Sequence, residues 1–211
     1  MKVIFLDIDG VMNSHVFFEQ RHKKLNSRWK RIYFRIKAKI KWVLNGFKHK
    51  YKSSADWEPS EKMYTFDYQF KRLQESTCPQ KWKWLSEFCN ENDIKICISS
   101  VWKNHFGGKA GREPSKWRDA LIKLGFKEDT FVGTTHTRRT LRGEEIQEWL
   151  HNSHFKIEDY AILDDDSDML PEQFVKFHHC DSWFGLSPNH LYRINRQFES
   201  KNTYENLNRT V

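Results

Sequence analysis

The sequence predicts an α/β protein built on a doubly wound, parallel β-sheet. Short apolar runs of strand length alternate with longer segments whose apolar residues recur at helical spacing. This alternation is typical of a parallel sheet with helices on both faces. Three of the runs end in polar or acidic residues. Because such folds bind ligands at the carboxyl ends of their strands, these residues predict a functional site at that edge.

Five apolar runs predict the strands of this sheet. The first run ends abruptly at Asp7, and the second alternates before it reaches Ser99. The fourth run ends in three consecutive acids that begin at Asp164. The predicted strands are Lys2–Leu6, Ile94–Ile98, Phe131–Gly133, Tyr160–Leu163 and Phe174–Phe177.

Helical spacing and helix-end signals predict the elements between the strands. Pro79 fits the first turn of a helix, where a proline loses no intrahelical hydrogen bond, and Gly125 ends another helix. Residues 107–111 are glycine-rich and predict a flexible loop, whereas residues 51–77 show no clear pattern. The predicted helices are Cys78–Asn92, Pro114–Leu124, Gly143–His151 and Pro188–Phe198, followed by a frayed tail from Glu199.

Positive charge is concentrated in one segment, residues 20–52, which we call the basic segment. It contains 13 Lys and Arg and no acid, whereas the rest of the chain has 23 basic and 28 acidic residues, a net charge of −5. Its apolar residues recur three or four positions apart and predict an amphipathic helix; they are Trp29, Ile32, Ile36, Ile40, Val43 and Phe47. We therefore predict a core of residues 1–13 and 76–211 and a basic helical insertion of residues 14–75.

Composition narrows the class of protein. No stretch approaches the roughly 18 apolar residues of a membrane span, and the first apolar run is too short for a signal-peptide core. The cysteines show neither metal-site spacing nor a disulfide framework and predict reduced thiols; they are Cys78, Cys89, Cys97 and Cys180. We therefore expect a cytoplasmic protein with one globular core, and the oligomeric state stays open.

The acids at the strand ends predict a metal site. A buried carboxylate costs several kcal/mol unless it is paired or binds a cation. Asp7 and Asp9 follow the first predicted strand directly, and Asp164 and Asp165 follow the fourth. A bound cation would relieve the repulsion among carboxylates that meet at one edge of the sheet.

Four motifs follow one another along the chain: a strand followed by Asp7-Ile8-Asp9, a strand that ends in Ser99, the basic residue Arg142 and the acidic pair Asp164-Asp165. In this order they resemble the motifs of the haloacid dehalogenase-like (HAD) phosphohydrolases. Finer details resemble one branch, the HAD domains associated with RNA repair proteins. Those details lie in residues 5–13, 98–103, 142–146, 162–169 and 185–187. The resemblance covers most of the chain outside residues 14–75 and implies a Rossmann-like core.

The resemblance implies hydrolysis of a phosphate monoester through an aspartyl-phosphate. Asp7 would attack phosphorus, while Asp9 would protonate the leaving oxygen and later deprotonate the attacking water. Ser99, with Ser100 as the competing choice, would hydrogen-bond the transferring phosphoryl group. Arg142 would offset its negative charge. Two upstream residues compete with Arg142 for this role: Arg138 and Arg139.

The resemblance also implies Mg²⁺ as the cofactor. Mg²⁺ prefers oxygen ligands and neutralises the charge repulsion between a nucleophilic carboxylate and a phosphate. Asp7, the backbone carbonyl of Asp9, and Asp164 or Asp165 would hold the ion. Asp168, like Ser100, is a candidate for a contact just behind these ligands.

The expected substrate follows from the charge as well as the resemblance. In HAD enzymes an insertion after the first motif forms a cap over the active site, and a cationic cap would attract a polyanion. We therefore expect a phosphate on an RNA or DNA end or on a nucleotide, with a 3′-phosphate as one candidate. The candidate polyanion-binding residues are Arg28, Arg31, Arg35, Lys39 and Lys103. At Lys103 the RNA repair branch would have an arginine.

Other functions stay open at this point. A small-metabolite HAD phosphatase would turn over small esters without salt sensitivity. A non-catalytic nucleic-acid-binding adaptor on a HAD scaffold would bind with a steep salt dependence and no turnover. For the basic segment itself, binding to an anionic membrane surface and a purely structural role are the alternatives to polyanion binding.

Overall fold

A computed structural model describes residues 1–25, 61–108, 111–136 and 141–208 of the 211-residue chain, without the side chains of residues 22–25, 61–62, 107–108, 111–112 and 201–208. Most of the basic segment lies outside these residues. So do its predicted helix and four of the candidate polyanion-binding residues, namely Arg28, Arg31, Arg35 and Lys39. Their roles stay predictions.

The core is a parallel sheet of five strands. Its strands are β1 (Lys2–Leu6), β2 (Ile94–Ile98), β5 (Phe131–Thr134), β6 (Asp159–Asp164) and β7 (Phe177–His179). They lie in the order β5-β2-β1-β6-β7, and every neighbouring pair is parallel. Leu6 is in register with Ile98 and with Leu163. The carboxyl ends of the three central strands therefore meet at one edge, as the sequence predicts.

Helices surround this sheet. In the described part of the chain the α-helices are α1 (His15–Leu25), α2 (Phe66–Ser76), α3 (Pro79–Asn92), α4 (Ser115–Lys123), α5 (Arg142–Asn152) and α6 (Pro188–Asn208). Short 3₁₀ helices span Glu61–Tyr64, Val101–Asn104 and Pro171–Lys176. No helix among the described residues is both long and apolar enough to cross a membrane.

The alternation of side chains along β1 divides the core into two layers. Ile4 and Leu6 face one layer, where they join apolar residues of α2, α3, α4 and α6. Val3 and Phe5 face the other layer, where Ile146 of α5 is fully buried. Both faces of the sheet are covered by helices, so the predicted α/β, doubly wound fold is confirmed.

The last predicted strand is wrong in its position. Residues 171–176 form a 3₁₀ helix, and β7 begins only at Phe177. The side-chain amide of Gln173 is fully buried, accepts a hydrogen bond from Leu170 N and donates one to Gly143 O. Phe174 and Val175 are exposed. The apolar residues that suggested a strand therefore belong to a turn that is held by a buried amide.

Two further segments differ from their predicted forms. The glycine-rich segment forms a short antiparallel hairpin of β3 (Gly107–Gly108) and β4 (Gly111–Arg112), because its backbone groups pair with each other. The helix α6 does not fray at Glu199 but continues to Asn208.

Part of the unassigned region packs into the core. Residues 66–76 form α2, and its side chains Phe70 and Leu73 are buried in the same cluster as Ile4 and Leu6. Thr77, just after α2, donates a hydrogen bond to Leu73 O and accepts one from the indole of Trp82 in α3. The predicted boundary at residue 75 stays a prediction, but α2 contributes to the core beneath the sheet.

Replacing a core residue of α2 tests this packing. Leu73→Ala is expected to lower the free energy of unfolding by about 2–5 kcal/mol, because it removes fully buried methyl groups and leaves a cavity. Gln74→Ala, on the exposed face of the same helix, is the matched control and should change stability by less than about 0.5 kcal/mol. Urea denaturation measures both, and equal small effects would show that α2 is not part of the cooperative core.

Candidate active site

The ends of β1, β2 and β6 place three side chains side by side. Asp7 follows β1, and its backbone N–H donates to Leu163 O at 2.9 Å. Ser99 follows β2, and its N–H donates to Leu6 O at 3.0 Å. Asp164 is the last residue of β6. All three are buried, so the sheet hydrogen bonds themselves fix polar side chains in a desolvated position.

Asp7, Asp164 and Asp165 form a cluster of carboxylates, which we call the acidic cluster. Each offers an oxygen, and these oxygens lie within 4.8 Å of one another. One oxygen of Asp164 accepts from Asp166 N at 3.0 Å, but its Oδ2 receives no hydrogen bond from the described residues. Oxygen ligands at this spacing fit a hard divalent cation such as Mg²⁺.

A glycine allows the close approach of Asp165 to the first motif. Gly10 has a φ of +63°, a left-handed conformation that costs glycine little. A Cβ at Gly10 would lie 2.1 Å from the carboxylate of Asp165. Any larger residue would therefore push the Asp165 carboxylate out of the acidic cluster.

Asp9 lies outside the acidic cluster and is exposed. The amide of Asn13 donates to Asp9 Oδ1 at 2.8 Å, and the oxygen of that amide accepts from Gly10 N at 2.8 Å. Asn13 itself is buried. The turn after β1 therefore holds the Asp9 carboxylate at the mouth of the site, where it has access to solvent.

Arg142 brings positive charge to the acidic cluster. It begins α5, and its guanidinium lies 3.2 Å from Asp164 Oδ2 and 3.5 Å from Asp7 Oδ1. The geometry thus places the predicted third-motif residue against both buried acids. Its two rivals, Arg138 and Arg139, lie outside the described residues.

Ser99 and Ser100 occupy different positions. The Ser100 hydroxyl donates a hydrogen bond to the Asp7 carboxylate and also accepts one from Trp102 N at 3.3 Å. The Ser99 hydroxyl is fully buried, with no hydrogen-bond partner among the described residues. Of the two serines that the sequence offers, Ser100 is the one that contacts Asp7 in this structure.

Lys103 lies in a buried ion network behind the site. Its ammonium group pairs with the Glu145 carboxylate and also donates to Thr135 Oγ1 at 3.0 Å and to His136 O at 2.8 Å. The Lys103 side chain is only 1% exposed, so in this arrangement it offers no accessible charge to a polyanion. Glu145 also lies 3.8 Å from the guanidinium of Arg142 and thereby links the two cations.

The start of α5 is fixed by residues that follow the acidic run. Asp168 Oδ2 accepts from Arg142 N at 2.9 Å, and Asp168 O accepts from Gly143 N at 3.1 Å. A Cβ at Gly143 would lie 2.4 Å from Leu170 N. Asp168 therefore acts on the site by positioning Arg142, and its Oδ1 is buried without a hydrogen-bond partner among the described residues.

Burial shifts the pKa of the acids in the cluster. Desolvation raises the pKa of Asp7 to about 6, against the hydrogen bond from Ser100 and the charge of Arg142. Desolvation, together with the negative charge of Asp7, raises the pKa of Asp164 to about 8. The Asp165 pKa is also raised, chiefly by burial. The acids therefore resist ionisation until positive charge neutralises them.

Two residues of the site were not predicted in these roles. Asn13 lies within residues 5–13 of the resemblance but was given no role, yet its side chain holds Asp9. Glu145 was part of the resemblance but had no role, yet it joins Lys103 to Arg142. Its spacing of three residues from Arg142 puts both on one helix face, which was the only available signal.

One comparison with known proteins gives a match. A family model for the HAD domain in Swiss Army Knife RNA repair proteins matches residues 3–191. No curated protein and no solved structure matches the chain. The matched range contains all strands of the sheet, the acidic cluster, Arg142 and the basic segment.

The raised pKa values predict how pH affects the metal-free protein. The unfolded chain has released a proton that the folded protein still holds between about pH 4 and pH 6 at Asp7, and between about pH 4 and pH 8 at Asp164, so stability falls as pH rises through these ranges. Asp164→Asn removes the part of this loss of stability that comes from ionisation of the Asp164 carboxyl group. The variant should therefore gain stability over the parent from pH 5 to pH 8, by on the order of a few kcal/mol.

Denaturation at both pH values, with and without Mg²⁺, measures this gain. If the ionised cluster holds Mg²⁺, the ion should stabilise the parent more than Asp164→Asn, which lacks one of the three carboxylates. Asp166→Asn is the control, since Asp166 is exposed in the same acidic run. An Asp164→Asn effect that is the same at pH 5 and pH 8 would contradict the buried, repelling cluster.

The buried pair of Lys103 and Glu145 predicts a strong energetic coupling. Lys103→Met is expected to lower the free energy of unfolding by about 3–5 kcal/mol, because Glu145 then stays buried without the ammonium group. Adding Glu145→Gln should recover part of the loss, since no unpaired charge is left at either position. A double-mutant cycle followed by urea denaturation measures the coupling.

The exposed pair of Lys83 and Glu87 supplies the control for that cycle. These residues lie 3.8 Å apart on the surface of α3, and their coupling should be below about 1 kcal/mol. Strictly additive losses for Lys103→Met and Glu145→Gln would rule out the proposed network.

Proposed function

Since the chain belongs to the family of HAD domains in Swiss Army Knife RNA repair proteins, we propose that it is a Mg²⁺-dependent phosphohydrolase of phosphate monoesters. The observation that carries the proposal is the acidic cluster with Arg142 beside it. Three carboxylate oxygens lie within 4.8 Å of one another, and the guanidinium lies within 3.5 Å of two of the acids. This is the charge arrangement that transfer of a phosphoryl group requires.

Asp7 is the proposed nucleophile. Its carboxylate attacks phosphorus, the bond from phosphorus to the ester oxygen breaks, and an aspartyl-phosphate forms. Ser100 holds one side of the Asp7 carboxylate. Arg142 lies on the same group and offsets the negative charge of the phosphoryl oxygens during transfer.

Asp9 is the proposed general acid and base. It gives a proton to the leaving oxygen and later takes one from the water that hydrolyses the aspartyl-phosphate, which restores Asp7 and releases phosphate. Its exposed position and its hydrogen bond from Asn13 support this role. After the first step Asp9 is a carboxylate, the form that the second step needs as its base, and the proton taken from water restores its acid form.

Asp7, Asp164 and Asp165 would hold Mg²⁺, together with the backbone carbonyl of Asp9. The ion would neutralise the repulsion between the Asp7 carboxylate and the phosphate. The three side chains suit it because they offer only oxygen ligands, and because Asp164 Oδ2 is buried without a hydrogen bond. This donor set fits Mg²⁺ better than a thiolate- or imidazole-binding ion.

The proposed substrate is a phosphate on a nucleic-acid end or on a nucleotide, with a 3′-phosphate as one candidate. The family description refers to RNA repair proteins. The 13 Lys and Arg of the basic segment would attract a polyanion toward the site. The described start of this insertion, α1, begins two residues after Asn13 and thus directly follows the first motif.

The mechanism predicts different losses for the two acids of the first motif. Asp7→Asn should reduce phosphate release to the background rate, because an amide cannot form the aspartyl-phosphate. Asp9→Asn should reduce kcat by about 10²- to 10⁴-fold, the range of general acid–base catalysis. Asp166→Asn is the control, since Asp166 is exposed and lies outside the acidic cluster.

A substrate panel measures release from 3′- and 5′-phosphorylated RNA and DNA oligonucleotides, mononucleotides and an aryl phosphate, with Mg²⁺ or a chelator. A metal-dependent preference for one oligonucleotide end is the expected result. Turnover of small esters alone would favour a small-metabolite phosphatase. Salt-dependent oligonucleotide binding without any turnover would favour an adaptor, and full activity of Asp7→Asn would overturn the mechanism.

A further inference from the structure

A pocket of about 440 Å³ opens beside the acidic cluster. Asp9 and Asp165 line its inner side, and Asn13 lies next to them. Its size falls within the range of about 300–1,000 Å³ that small-molecule sites occupy. A group bonded to the leaving oxygen would enter this pocket, because Asp9 is the proposed donor of a proton to that oxygen.

Three ring side chains line the pocket: His15, Phe18 and Trp102. His15 stacks on Trp183, with 5.4 Å between ring centroids and 29° between ring planes. Phe18 is 37% exposed. The other lining residues, apart from the two acids and Asn13, are glycine and serines, so the rings supply the apolar surface.

The Trp102 ring is held in a fixed place relative to the nucleophile. It is half-buried, packs against the core and lies 4.6 Å from the ring of His105. Its backbone N–H donates to Ser100 Oγ, and the Ser100 hydroxyl contacts Asp7. The same short 3₁₀ helix therefore sets both the nucleophile and the ring.

The helix α1 is tied by its backbone to Ser182, another residue that lines the pocket. His15 N donates to Ser182 O at 3.2 Å, and Val16 N donates to Trp183 O at 3.1 Å. These bonds fix the first turn of α1, which carries His15 and leads to Phe18. The pocket is thus built from both sides by backbone hydrogen bonds.

The charge of the described lining selects the ligand. It contains Asp9 and Asp165, and the described residues that line it include no Lys or Arg. A second phosphate in this pocket would face two carboxylates without a described cation. A neutral group with a planar face would instead meet aromatic rings, on which bases stack irrespective of their sequence.

We propose that this pocket binds the nucleoside that carries the scissile phosphate, with its base stacked on Trp102. The inference rests on the proposed function and names its substrate class as a phosphate ester of a nucleoside. The phosphate lies at the acidic cluster, the leaving oxygen lies at Asp9, and the base lies against Trp102. Other planar leaving groups are separated from nucleosides by the experiment.

The first test is independent of catalysis. Binding of unphosphorylated adenosine to the Mg²⁺-loaded protein is followed by ligand-observed NMR. Trp102→Ala is expected to weaken binding by about 5- to 150-fold, which corresponds to the loss of one base stack. Trp102→Phe should recover part of the affinity. Tyr192→Ala, at an exposed aromatic residue of α6 outside the pocket lining, is the control and should bind like the parent.

The second test uses turnover. The ratio of kcat/KM for a nucleoside monophosphate to that for the matching sugar phosphate without a base should fall in Trp102→Ala by a similar factor. An aryl phosphate is a third substrate. If Trp102→Ala lowers the kcat/KM of the aryl phosphate by as large a factor as that of the nucleotide, the assignment of the pocket to nucleosides is overturned.

The outcomes separate this inference from the proposed function. Loss of adenosine binding in Trp102→Ala without turnover of any ester supports the pocket and overturns the phosphohydrolase. The opposite outcome is turnover in which Trp102→Ala changes neither adenosine binding nor the kcat/KM ratio. That outcome overturns the pocket assignment and supports the phosphohydrolase. Circular dichroism of Trp102→Ala and Trp102→Phe checks that both variants are folded.

Discussion

Burial of Asp7 and Asp164 close to Asp165 is unfavourable unless positive charge lies beside them. Desolvation and mutual repulsion both raise the pKa of Asp164. Arg142 supplies part of the needed charge from within the chain, at 3.2 Å from Asp164 and 3.5 Å from Asp7. A divalent cation would supply the rest. The positions of β1, β6 and α5 are therefore linked, because the buried negative charge at this edge of the sheet has to be neutralised.

Arg142 can offset this negative charge only because other residues hold its backbone and guanidinium in place. Asp168 accepts a hydrogen bond from its backbone, and Glu145 contacts its guanidinium. Glu145 in turn pairs with Lys103, which belongs to the 3₁₀ helix after β2. That helix also carries Trp102 and follows Ser100. One short turn thus connects Asp7, the buried Lys103 and the pocket that Trp102 lines.

The sequence predicted the strands and helices best where the spacing of apolar residues and the residues that end an element indicate the same bounds. β1 and β2 have the predicted bounds, because both are short apolar runs that polar residues end. The last strand was misplaced, because Phe174 looks like a strand residue although the buried Gln173 amide holds that segment in a turn. Lys103 was predicted to bind a polyanion, and its burial could not be foreseen because its partner Glu145 is 42 residues away along the chain.

The sequence by itself determined the α/β class, the acids at the ends of β1 and β6 and the HAD resemblance, with Arg142 as one of three candidate cations. Those inferences rest on the order and spacing of residue types along the chain, so they do not depend on which elements pack together. Only the tertiary structure decided that Ser100 contacts Asp7, that Lys103 is buried and that Trp102 lines a pocket. These contacts join residues from separate elements, and which elements meet is set by how the whole core packs.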